Sequence, residues 1–135
     1  AISRKKVRLK FLDQDFPMLG NTLVINDGSA RTLVKINQDG YSSEYYLRTA
    51  THIYRAFIRH SRTKATGSVP SYDRHNVEFV KTTLATVSVP EFYEKFYFVD
   101  ERLAGDTDVS LADAVCDLAI ATSNAFLNDL AGWQN

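Results

Sequence analysis

A chain of 135 residues that is 44% apolar has the size and apolar stock of one domain with one core. Sixteen basic and sixteen acidic residues cancel, so net charge alone points to neither a nucleic acid nor an acidic substrate. Cys116 is the lone cysteine, which excludes an intramolecular disulfide; within an apolar helical pattern it reads as a small buried hydrophobe suited to a reducing cytoplasm.

The distribution of charge says more than its sum. Residues 1–99 carry fifteen Lys and Arg against nine Asp and Glu, whereas residues 100–135 carry Arg102 against seven acids. If these pieces lie on opposite faces, one face attracts polyanions and the other keeps an assembly soluble; ordinary solvated charge is the open alternative. The opening Ala1-Ile2-Ser3-Arg4-Lys5-Lys6 lacks the apolar run of a signal peptide. No segment is expected to approach the roughly 18 apolar residues of a bilayer span, so no membrane partner is anticipated. Arg4, Lys5, Lys6, Arg8 and Lys10 form a basic arm suited to RNA, or an extra strand, since Val7, Leu9 and Phe11 alternate with the charges.

From about residue 20 the chain repeats short runs rich in Val, Ile, Thr, Tyr and Phe, separated by turn residues, the grammar of antiparallel strands. Thr22 to Asn26 ends at Asp27-Gly28 and Arg31 to Asn37 ends at Asp39-Gly40, both suited to the positive φ of tight hairpins; Tyr41 to Leu47 is the return strand. His52 to Ser61 alternates Ile53, Arg55, Phe57 and Arg59 on one face with His52, Tyr54, Ala56, Ile58 and His60 on the other. A polar loop then leads into Arg74 to Leu84, and a second loop ends at Pro90. Phe92 to Arg102 sets Phe96 and Phe98, which read as core, opposite Lys95, Tyr97 and Val99.

The period then changes. Ser110 and Asp113 suggest a capping box, and Leu111, Val115, Leu118 and Thr122 recur at helical spacing. Ser123-Asn124 is expected to end this helix and cap a second over Ala125 to Ala131, with Gly132 as its stop. Strands first and helices last give an α+β domain with helices gathered on one sheet face. Two short helices cannot cover so aromatic a sheet, so dimerisation is expected.

No catalytic constellation emerges. His52 and His60 stand about 26 Å apart along one strand, too far to share a metal; Glu91 and Glu94 have opposite parity; the six glycines are scattered rather than grouped into a phosphate loop. No cofactor, metal or small-molecule substrate is anticipated. Asp106 and Asp108 could contribute to a divalent-ion site, although solvated loop acids are the simpler reading. Nucleic-acid binding fares better. Arg55 and Arg59 repeat on one strand face, and Lys95 beside Tyr97 offers a cation for phosphate and a ring for a base. A solvated or dimer-covered sheet face explains the same residues equally well.

The strings Lys35-Ile36-Asn37-Gln38-Asp39-Gly40-Tyr41-Ser42-Ser43-Glu44-Tyr45-Tyr46-Leu47, Arg59-His60-Ser61 and Arg74-His75-Asn76-Val77-Glu78-Phe79 resemble the coat proteins of single-stranded RNA bacteriophages, in particular the branch known from phages of Caulobacter. The resemblance covers roughly residues 20–135. It implies an N-terminal β-hairpin, a five-stranded antiparallel sheet and two C-terminal helices, in an intertwined homodimer that builds an icosahedral capsid. One coat domain over 1–135 would comprise a basic extension (1–19), hairpin and sheet (20–102) and helices (110–131). The function implied is packaging of single-stranded genomic RNA in a virion assembled in the bacterial cytoplasm, with hairpin binding and translational repression in several members; a non-capsid RNA-binding or regulatory dimer is the alternative. By position, Arg55, Arg59, Asn76, Lys95 and Tyr97 match inward-facing RNA-binding residues, Tyr97 aligning with a tyrosine that stacks on a loop base. Glu78 departs from the family pattern: a carboxylate there either weakens hairpin binding or pairs with a neighbouring base such as Arg59.

Overall fold

The structure, a computed structural model, describes residues 19–135. The basic arm, with Val7, Leu9 and Phe11, lies outside the described residues. Six strands pair in chain order into one antiparallel sheet: β1 (Thr22–Asn26), β2 (Ala30–Gln38), β3 (Ser42–Arg48), β4 (His52–Arg62), β5 (Tyr72–Thr83) and β6 (Phe92–Leu103). Every strand anticipated from the alternation forms, because β-branched and aromatic side chains suit a pleated, half-buried surface. The hairpin is continuous with the sheet, since β2 pairs with both β1 and β3.

The two Asp-Gly turns close by different means. Gly28 takes φ +113°, and its amide donates to Asn26 Oδ1 at 2.9 Å. Gly40 is not among the glycines of positive φ, contrary to expectation. There the Asp39 carboxylate shapes the turn, accepting from the amides of Tyr41 (2.8 Å) and Ser42 (2.7 Å) and from the Ser42 hydroxyl (2.8 Å). Between Lys35 and Asn37 the β2–β3 register slips, a bulge that shifts which β3 residue each β2 residue faces.

The described chain divides into two compact units. The first comprises the described residues through Phe57 together with 78–96. Leu33, Tyr45, Tyr54 and Ala56 are buried in it. Each tyrosine keeps its hydroxyl satisfied: Tyr45 donates to the Gly20 carbonyl at 2.8 Å and Tyr54 to Asp27 Oδ2 at 2.6 Å. Asp27, at the tip of the first hairpin, also accepts from Lys81 Nζ (2.8 Å) and Arg31 Nε (3.0 Å), and both cations lie over the Tyr54 ring. The bond from Lys81, then those from Tyr54 and Arg31, hold the Asp27 carboxyl well below the ordinary carboxylate range. Its contribution to stability is therefore present above the ordinary pKa of 3.8 and is lost as pH falls through the depressed folded value. Asp27→Ala leaves Tyr54 and Lys81 without this acceptor and is expected to lower the thermal midpoint at pH 7; an unchanged midpoint would remove this latch from the account.

The second unit comprises residues 58–77 and 97–135. Asp73 ties β5 to the segment after β6, accepting from Arg62 Nε at 2.5 Å and from the Gly105 amide at 3.0 Å. The Arg62 guanidinium first, and the Gly105 amide second, lower its pKa to about 2. Beyond Gly105 the acids serve the backbone: Asp106 accepts from the Asp108 amide, and Asp108 from the amide and hydroxyl of Ser110.

The helical run α1 (Ser110–Ala131) is interrupted at 121–124, where Thr122, Ser123 and Asn124 take φ of +54°, +53° and +66°. The two helices expected on either side of Ser123-Asn124 are thus present as two segments of one run. Their ends differ from the forecast. The N-cap is Val109 without a side-chain cap, so the Ser110/Asp113 capping box does not form; Ser110 is already helical and Asp108 supplies the acceptor. At the other end Gly132 is the C-cap, but the left-handed residue is Trp133 (φ +66°). The amides of Trp133 and Gln134 donate to the carbonyls of Leu130 and Asp129, the paired closure common at helix C-termini.

The run is 22 residues long and apolar enough to cross a membrane by length and composition, which departs from the expectation that no segment approaches such a span. No residue of α1 is buried, and Cys116, expected in the core, is exposed. Phe96 and Phe98 on β6 are likewise 57% and 50% exposed rather than core. Among the described residues neither ring is covered.

Candidate nucleic-acid interface

Strand alternation builds the candidate surface. On β4, Tyr54 and Ala56 point into the core of the first unit, so Arg55 and Phe57 project from the opposite face. Phe57, Glu78, Val80, Thr82, Tyr93 and Lys95 line one shallow groove on that face.

Within this unit both anticipated cations are already engaged. Arg55 Nη1 lies 3.0 Å from Glu44 Oε1, with its guanidinium 5.0 Å from the centre of the Tyr46 ring. Glu44 and Tyr46 share parity on β3, which brings both beneath Arg55 from the neighbouring strand. Lys95 Nζ lies 3.5 Å from Glu78 Oε1 and 5.7 Å from the centre of the Tyr93 ring. Glu78, the departure from the family pattern, is therefore ion-paired with Lys95. Half-exposed pairs of this kind are worth at most about 1 kcal/mol, so an incoming phosphate can take the place of the carboxylate.

Arg59, Asn76 and Tyr97 belong to the second unit. Arg59 is exposed on β4, Asn76 is half-buried on β5, and Tyr97 on β6 is 62% exposed. The five residues singled out from sequence thus fall in two groups: Arg55 and Lys95, and Arg59, Asn76 and Tyr97. Glu44, Tyr46 and Tyr93 were not anticipated. Their types are ordinary for strands; the pairing of β3 with β4 brings Glu44 and Tyr46 to Arg55, whereas Tyr93 lies two residues before Lys95 on the same face of β6.

On the opposite parity of β4, His60 Nδ1 lies 2.9 Å from His75 Nδ1, with ring centres 5.1 Å apart. His52 instead meets the Thr51 hydroxyl at 2.7 Å. Burial, and then the charge of His75, lower the His60 pKa, while Asp73 lies within electrostatic reach of His75. A histidine whose folded pKa is depressed supports the fold fully above its ordinary 6.5, and that support is lost as pH falls through the folded value. The thermal midpoint is expected to drop between pH 7.5 and pH 5, and His60→Gln to shrink that drop. An equal drop in the variant would assign the acid sensitivity to other groups.

The family model described as "Phage phiCb5, coat protein" matches residues 20–103. No curated protein matches the chain. Among solved structures, the bacteriophage EMS014 coat protein superposes with a TM-score of 0.59 at 16% identity, over 76% of this chain and 72% of that one. An unassembled virus coat protein dimer, titled a bacteriophage RNA-binding dimer, aligns with a TM-score of 0.48 at 15% identity, over 84% of this chain and 93% of that one. The EMS014 likeness establishes a shared fold, and the family match spans the hairpin and all six strands. The chain belongs to the phage phiCb5 coat protein family and is a structural subunit rather than an enzyme.

Proposed function

We propose that the chain dimerises, that the dimers close into an icosahedral shell, and that the shell packages single-stranded RNA through Arg55 and Lys95 of the first unit and Arg59, Asn76 and Tyr97 of the second. The observation that carries dimerisation is apolar surface left uncovered: α1 has no buried residue, and Phe96 and Phe98 are at least half exposed. Monomers rarely leave so much apolar surface open, and obligate dimers commonly bury roughly 2,000 Å² or more. Among the described residues β6 ends the strand order, which leaves one edge of a twelve-residue strand for a second copy.

The RNA assignment rests on chemistry. Arg55, Arg59 and Lys95 can neutralise phosphates, Asn76 can donate or accept at a base edge, and the exposed Tyr97 ring offers a stacking platform. A hairpin that sets a loop base on Tyr97 would engage the same residues, and translational repression enters the proposal in that form. Assembly in the bacterial cytoplasm and residence in the virion complete it. The test is electron microscopy of protein expressed alone in bacteria, with absorbance at 260 and 280 nm on the same fraction. Uniform shells rich in nucleic acid are expected; a clean dimer without particles or RNA would overturn the packaging role.

A further inference from the structure

The groove beside the Lys95–Glu78 pair is furnished for more than phosphate. It is a shallow, open groove of about 310 Å³. Glu78 and Glu91 line it alongside Lys95, and Phe57, Phe92 and Tyr93 supply flat apolar surface suited to a base. Lys95 Nζ and Glu78 Oε1 lie 3.5 Å apart, which sets one strong donor beside a two-oxygen acceptor.

That order of groups selects among bases. The Watson–Crick edge of guanine presents an acceptor, O6, followed by two donors, N1–H and N2–H. Cytosine presents one donor followed by two acceptors, uracil one donor between two acceptors, and adenine one donor beside one acceptor. Only guanine offers an acceptor to the ammonium and two adjacent donors to the carboxylate. We infer that Glu78 and Lys95 form a subsite for an unpaired guanine of the RNA: Lys95 donates to O6, Glu78 accepts from N1–H and N2–H, and the base stacks against Tyr93. This inference rests on the RNA-facing reading of the sheet and deepens it, because the carboxylate that departs from the family pattern becomes the residue that sets base preference.

The test is fluorescence anisotropy of the full chain with labelled six-nucleotide oligouridylates carrying one central guanosine, inosine or adenosine. Guanosine is expected to bind about tenfold more tightly than adenosine, with inosine, which lacks the N2 amine, between them. Glu78→Gln, similar in size, should bring the guanosine-to-adenosine ratio close to one. Guanosine monophosphate should displace the guanosine oligonucleotide only at far higher concentration, since it lacks the chain's additional phosphates. Displacement at equal concentration would overturn the RNA assignment of the groove. Equal affinity of the wild type for all three oligonucleotides would overturn the guanine subsite alone. Failure of every oligonucleotide to bind would overturn the RNA-facing reading and the subsite with it.

Discussion

Replacing Arg55 and Arg59 together with Ala is expected to lower the RNA content of purified particles, read as a fall in the 260-to-280 nm absorbance ratio at constant protein, while the fold persists. Arg55 projects from β4 on the face opposite Tyr54 and Ala56, so its removal opens no cavity in the core. Within the chain it forfeits the Glu44 pair and its place over Tyr46, and an exposed pair contributes at most about 1 kcal/mol. Toward RNA the loss is larger. Each phosphate contact to a single strand adds about 0.7 to the slope of log affinity against log salt, so a two-arginine loss should flatten that slope by roughly 1.4. Glu44→Gln should act in the opposite direction: with the carboxylate neutralised, Arg55 no longer exchanges one anion for another, and affinity for oligouridylate rises. Unchanged encapsidated RNA in the double variant would remove both arginines from the interface.

The strands were legible because their signals are local. Asn26-Asp27-Gly28, Gln38-Asp39-Gly40 and the alternation around Arg55 and Arg59 depend on residues a few positions apart, and the break after Ile120 was visible as Ser123-Asn124. Long-range pairing was not legible. His60 was weighed against His52 on its own strand, whereas its neighbour is His75 on the next, fifteen residues away. Glu44 reaches Arg55 across eleven residues, and Lys81 reaches Asp27 across fifty-four. Such partners depend on which strands lie side by side, a property that alternation within one strand does not encode. Helix ends failed for another reason. Asp108 and Ser110 are both competent acceptors, and a one- or two-residue shift of the helix start decides which of them serves. Cys116, Phe96 and Phe98 were read as core because apolar periodicity reports that a face will be covered, not that the same chain covers it.

Phe98→Asp should abolish shells altogether. Phe98 is half exposed and lies on β6, which ends the strand order among the described residues. Because the side chain is open to water in the monomer, an aspartate there is well solvated and the subunit should still fold, with β-sheet circular dichroism preserved. In a dimer that covers this face, the same aspartate is desolvated without a cation prepared for it, and burying an unpaired charge is among the most costly single changes an interface can suffer. A loss of at least about 2 kcal/mol, typical of central interface positions, raises the dimer dissociation constant about thirtyfold or more. Shell closure multiplies that loss, because every dimer in the particle carries the defect twice. Sedimentation should therefore show folded monomer at concentrations where the wild type is dimeric, and micrographs should show no particles. Intact shells built from Phe98→Asp would place the dimer contact on another surface and leave the exposed face of β6 to be covered in some other way, whereas folded monomers would tie capsid formation to the apolar residues that a lone chain leaves bare.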